Sequence, residues 1–173
     1  MSSTSTNKQP LLADRPLHEF AVLGPTAALS VSTDYSSVLS GGCQELVNCS
    51  DNDGAVIDSL SLFAPQASMT AVVAVFFLSD SATVLGISAT NTVPVAAATL
   101  GSSAAGERTN VSLPPLSIPV PNLGGQTSPT EASKKNTAIL VPAGRVLYVG
   151  LNTPVIAPSA ASKVIVTAQG GYY

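Results

Sequence analysis

Apolar and polar residues alternate with a period of two in several stretches of this chain, the spacing of strands with one face turned inward. Leu29, Val31 and Thr33 alternate with Ala28, Ser30 and Ser32, and Leu60 and Leu62 alternate with Ser59 and Ser61. The run TAVVAVFFLS, residues 70–79, is apolar on both faces and rich in β-branched and aromatic side chains. It predicts a central strand covered on both sides. Further strands are expected over 83–88, 109–113, 137–141, 145–152 and 163–169. Gly41-Gly42, Asp53-Gly54, Pro114-Pro115, Gly124-Gly125 and Ala143-Gly144 fall between apolar runs and read as turns. Many short strands with regular turns predict an all-β fold, an antiparallel β-sandwich of jelly-roll type.

Three stretches break this rhythm. Residues 1–16 hold few apolar side chains and are expected to form an extended N-terminal arm, leaving 17–173 as a single sandwich domain. The arm is expected to dock on a neighbouring subunit, with Leu11, Leu12 and Arg15 among the contacts. Residues 113–129, LPPLSIPVPNLGGQTSP, carry prolines too densely for an inner strand. An extended, partly polyproline-like surface loop is expected there, and its Leu116, Ile118, Val120 and Leu123 then need cover from the domain or from a partner. Residues 154–161 read as a shorter loop of the same kind.

Charge changes the picture of the surface. Charged residues are 10% of the 173, against about 25% in an ordinary soluble domain, while apolar content is 45%. Ser, Thr, Ala, Asn, Gly and Pro replace the missing charge, which leaves small neutral groups that desolvate cheaply against other protein. A plain β-domain with a bland surface has the same composition. The net charge is −3, and the 7 Lys and Arg residues are scattered singly apart from Lys134 and Lys135. No basic stripe exists to neutralise phosphates, so no nucleic-acid partner is expected. The start MSSTSTNKQP lacks the apolar core of a secretory signal, and the longest apolar run, 71–78, is too short to cross a bilayer. No membrane association is expected.

Candidate chemistry is sparse. Cys43 and Cys49 have five residues between them, which suits a small disulfide loop but not a CxxC metal or redox motif. Two reduced thiols in a cytoplasm are the better expectation. His18 is the single histidine, so a zinc site would have to draw on carboxylates. SDNDGAVID, residues 50–58, resembles a calcium loop at first sight but lacks the ligand spacing, and reads as an acidic turn. There is no GxSxG elbow, and a Ser-His-Asp triad would have to use His18 beside the arm. Asp80 with Asp34, or Glu45 with Asp58, has no support as a catalytic pair over turn carboxylates. Neither an enzyme nor a cofactor is expected.

The C-terminal order VPAGRVLYVGLN, a loop, then KVIVTAQGGYY resembles the terminal hairpin of small β-sandwich virion proteins of tailed bacteriophages. The residues that carry the resemblance are Pro142, Ala143, Gly144, Leu147, Tyr148, Val149 and Gly150, then Val164, Val166, Ala168, Gly170, Gly171 and Tyr173. It covers about a fifth of the chain. The terminal Gly-Gly is expected to let the backbone turn away, leaving Tyr172 and Tyr173 as amphipathic contacts. The resemblance implies a structural protein of the virion that decorates or cements the head shell, contacting the major capsid protein or other virion proteins. A homo-oligomer is expected, with a trimer favoured. The alternative is a receptor- or carbohydrate-binding module of a tail fibre or head appendage.

Overall fold

The apolar run in the middle of the chain becomes a central strand of one of two antiparallel sheets. In the computed structural model of the protein, the residues described are 15–24, 43–66, 71–101, 105–114, 137–152 and 163–173. They form β1 (Arg15–Leu23), β2 (Gln44–Asn48), β3 (Gly54–Ala64), β4 (Val72–Ser79), β5 (Thr92–Leu100), β6 (Glu107–Asn110), β7 (Ile139–Pro142), β8 (Val146–Leu151) and β9 (Val164–Tyr172). A 3₁₀ turn, Val84–Gly86, lies between β4 and β5. Sheet A has the order β1-β9-β3-β6, with β7 also beside β3, and sheet B has the order β2-β8-β4-β5. Their inner faces share one core, with Leu23, Ile57, Leu60 and Leu62 from sheet A meeting Phe76, Leu100, Leu147 and Leu151 from sheet B. The fold is a β-sandwich.

Pairing nests along the chain. Strand β1 pairs with β9, β2 with β8, β3 with β6 and β7, and β4 with β5. The two C-terminal strands therefore do not form the hairpin expected from their sequence. β8 lies between β2 and β4 in sheet B, whereas β9 lies between β1 and β3 in sheet A.

Strand β4 is covered on both sides, as its composition predicts. Phe76 points into the sandwich, while Val75 and Phe77 point outward and pack with Val146, Tyr148 and Ile87 in a second, smaller core. That cover comes from residues 80–91, where a strand over 83–88 was expected. The stretch is instead a turn, because its small polar side chains satisfy nearby backbone groups in place of a neighbouring strand. Ser81 Oγ donates to the Thr83 carbonyl (2.8 Å) and accepts from the Thr83 amide (3.3 Å). The turn expected at Ala143-Gly144 is present, with Gly144 at φ +77° and the Arg145 amide donating to the Pro142 carbonyl (3.1 Å).

Strands β1, β2 and β5 carry no sequence expectation of their own. Arg15 and Pro16, placed in the arm by composition, are the first residues of β1. The rest of the arm, the expected strand at 28–33, residues 115–129 of the proline-rich loop and the loop at 154–161 lie outside the described residues.

Candidate interaction surface

Of the residues singled out by sequence, the fold brings Arg15 and Tyr172 together. They face each other in the β1–β9 register, with the Arg15 guanidinium 5.2 Å from the centre of the Tyr172 ring. Arg15 Nη2 also donates to Asn52 Oδ1 (3.1 Å), and the Tyr172 hydroxyl donates to Glu19 Oε1 (3.2 Å). The Tyr172 ring packs against the main core. Burial first, and then Glu19, push its hydroxyl pKa upward. Tyr173 is half-buried, and its amide donates to the Gly54 carbonyl (3.0 Å). The expectation that Gly170-Gly171 turns the backbone away is corrected here. Strand β9 runs straight through both glycines to Tyr172, because β3 bulges at Asp58 and its backbone closes on Gly170. Leu11, Leu12, Leu116, Ile118 and Val120, also expected as contacts, lie outside the described residues.

The surface best suited to contact is the outer face of sheet A. Side chains opposite one another in register share a face, so the pairing lays out this surface row by row. Val22, Ile165, Phe63 and Arg108 form one row across four strands, and Phe20, Thr167, Ser61 and Asn110 form the next. His18, Gln169 and Ser59 follow, and then Pro16, Gly171, Val56 and Leu140. Phe20 is 68% exposed and Val22 42%. Arg108 is the one Lys, Arg, Asp or Glu paired in these four rows, and the exposed Asp58 of the β3 bulge adds an acidic group beside Ser59. Ser61 Oγ and Thr167 Oγ1, 2.7 Å apart, hydrogen-bond to each other in the middle of the face. A sheet face with little charge and an exposed phenylalanine loses little hydration on docking. Comparison with protein-family models, curated proteins and solved structures finds no match. The surface must therefore be read from its own geometry.

On the opposite side, the covering turn is held down tightly. The Tyr148 hydroxyl donates to the Ser81 carbonyl (2.9 Å), and Asn91 Nδ2 donates to the Gly86 carbonyl (2.8 Å). Asn91 Oδ1 accepts from the Ser88 amide (2.9 Å), and Asp80 pairs with Arg145. At the tip of this clamped turn Leu85 is 88% exposed.

The cysteines lie at the two ends of β2 and face different cores. Cys43 belongs to the outer cluster and Cys49 to the inner one, and both are free. Six residue steps along a strand separate Cα atoms by on the order of 15–20 Å, whereas a disulfide needs roughly 4–7 Å. Burial pushes both thiols from an ordinary value of 9.0 up to about 11. Burial, with smaller contributions from Glu45 and Cys43, pushes Tyr148 up to about 12. Below pH 9 folded and unfolded chains both hold the thiol protons, so stability is unaffected. Between about 9 and 11 the unfolded chain sheds protons that the native state keeps, and stability falls as pH rises. Melting temperature is expected to be level from neutrality to pH 9 and to drop beyond it. The C43A/C49A variant should start lower but fall less steeply, and an unchanged slope would remove the thiols as the cause.

Sequence reasoning missed Phe20, Val22, Phe63 and Leu85. A signal was present in RPLHEFAVL, where Leu17, Ala21 and Leu23 occupy one parity and Phe20 and Val22 the other. Apolar residues on both parities of an edge strand mark a face that water alone does not suit.

Proposed function

We propose that this protein is a non-enzymatic structural component of a tailed-phage virion, a decoration or cement protein that binds the head shell by surface complementarity. The outer face of sheet A carries this reading. Three strands present Phe20, Val22, Phe63 and Ile165, with Arg108 on a fourth and Asp58 at the β3 bulge as the nearby charges, a surface suited to pack against protein. We further propose that the sandwich is a jelly roll. Nested pairing of first with last, second with next to last, and so inward to β4 with β5 is what a long antiparallel ribbon produces when it rolls into two layers. Jelly rolls are common in capsid domains, which supports the reading. The residues behind the phage resemblance hold central places, since Leu147 and Val149 face the core from β8 and Val164, Val166 and Ala168 from β9. The major capsid protein or another virion protein is the proposed partner, with the N-terminal arm adding a second contact. Mass spectrometry of purified particles followed by an image reconstruction tests this. Density for the sandwich on the shell, with the sheet A face against its neighbour, is expected; absence of the chain from purified particles overturns the proposal.

A further inference from the structure

Residues 80–91 connect β4 to β5 and fold back over the outer face of sheet B. The β4–β5 ladder closes beneath them, with Ser79 opposite Thr92 and the Asp80 amide donating to the Asn91 carbonyl (3.0 Å). Both ends of the turn therefore leave the sheet at one point. It can swing about that point without breaking a rung between β4 and its neighbours β5 and β8.

Little apolar surface holds the turn down. Ile87 is its one buried residue, Val84 packs at the margin of the outer cluster, and Leu85 at the tip is exposed. The rest of the clamp is polar: the Tyr148 hydroxyl on the Ser81 carbonyl, the Asn91 side chain on Gly86 and Ser88, and the ion pair of Asp80 with Arg145, both of which are substantially exposed. Such contacts are exchanged for water when they part, so each adds little net stability. What lies beneath is of the opposite kind. Phe77 and Tyr148 are wholly buried there, with Val146 and Cys43 beside them. No residue of 80–91 belongs to the core between the sheets.

We infer that residues 80–91 form a flap that opens by itself while both sheets stay folded, uncovering the apolar cluster of Phe77 and Tyr148 on the outer face of sheet B. Few buried apolar contacts and exposed hydrogen bonds mark a segment that opens at far lower free energy than the whole domain. The two cysteines distinguish the events. Cys43, just before β2, lies in the cluster under the flap, whereas Cys49 lies in the core between the sheets. Opening of the flap uncovers Cys43 alone, and unfolding of the sandwich uncovers both. The outer face of sheet A takes no part, so the flap stands or falls separately from any docking of that face.

Thiol labelling of the purified native chain reads the outcome. N-ethylmaleimide is used at a concentration low enough for reclosing to outpace labelling, so each rate reports the open population. Cleavage after Glu45 places the two cysteines on separate peptides for mass spectrometry. Cys43 is expected to label more than about tenfold faster than Cys49. Its rate should hardly change in low urea, because a flap exposes little surface, whereas the Cys49 rate should climb steeply. Tyr148→Phe, which removes the bond to Ser81, should speed Cys43 roughly fivefold. Val166→Ala, in the core between the sheets, should speed Cys49 and leave Cys43 unchanged; Ile57→Val replaces it if that variant does not fold. Equal rates with equal urea dependence, acceleration of both thiols by the core variant, or an unchanged Cys43 rate in Tyr148→Phe would each overturn the inference. So would labelling of Cys43 as fast as in the urea-unfolded chain, since no closed flap would then exist.

Discussion

Replacing Gly170 with alanine is expected to destabilise the sandwich more than any other single-methyl change in sheet A. A Cβ at this position would overlap the Val56 carbonyl oxygen and stand 2.9 Å from Ile57 Cα. Both obstacles are backbone of β3, so no side chain can swing aside. The crowding arises because Asp58 is the extra residue of a bulge, which bends β3 toward the strand opposite it. Relief would require β3 and β9 to separate between two strands that are themselves paired on their far sides. Overpacking a site that cannot relax costs about 3 kcal/mol or more, a fall of roughly 6–12 °C in melting temperature for a domain of this size. Gly101→Ala is the control, since a Cβ there meets nothing within 4 Å. Thermal melts of the two variants check the prediction, and equal midpoints would mean that the close approach at Gly170 does not exist in solution.

Tyr172→Ala is expected to cost about 2–3 kcal/mol, less than a wholly buried ring because Tyr172 is half-buried. The substitution removes core packing, the surface on which Arg15 stacks and the hydrogen bond to Glu19 at once. Tyr172→Phe keeps the ring and should cost only about 1 kcal/mol. Truncation after Gly171 should match or exceed the alanine variant, because it also deletes the bond from the Tyr173 amide to Gly54. Were the tyrosines purely contacts with another subunit, all three changes would leave the melting temperature of the isolated chain unmoved. Denaturant or thermal unfolding of the purified variants separates the two cases.

These two predictions mark the point where local reading of the C-terminus ran out. Gly-Gly before Tyr-Tyr suggests a release from the strand, since glycine tolerates turns that other residues do not. In the fold the same glycines are strand residues, and Gly170 is there because a neighbouring strand comes too close for any side chain. That requirement originates at Asp58, more than a hundred residues earlier, and no window around Gly170 contains it.

What the sequence by itself determined is the set of properties that depend on near neighbours. Period-two alternation at 59–62 and the doubly apolar run at 70–79 specify strands with one and two buried faces, and β3 and β4 have them. Asp53-Gly54 and Ala143-Gly144 specify turns, because positive φ is cheap for glycine. The tertiary structure alone decided which strands meet. Strand β8 resembles a partner for β9 in sequence order, yet each pairs with strands from the first half of the chain, since backbone hydrogen bonds carry no memory of sequence distance. It decided exposure as well. Phe77 and Phe20 both stand on the outer faces of their sheets, but the turn at 80–91 folds over Phe77, and Phe20 is left exposed. Cover is a property of what packs on top, and that is settled by the path of the whole chain.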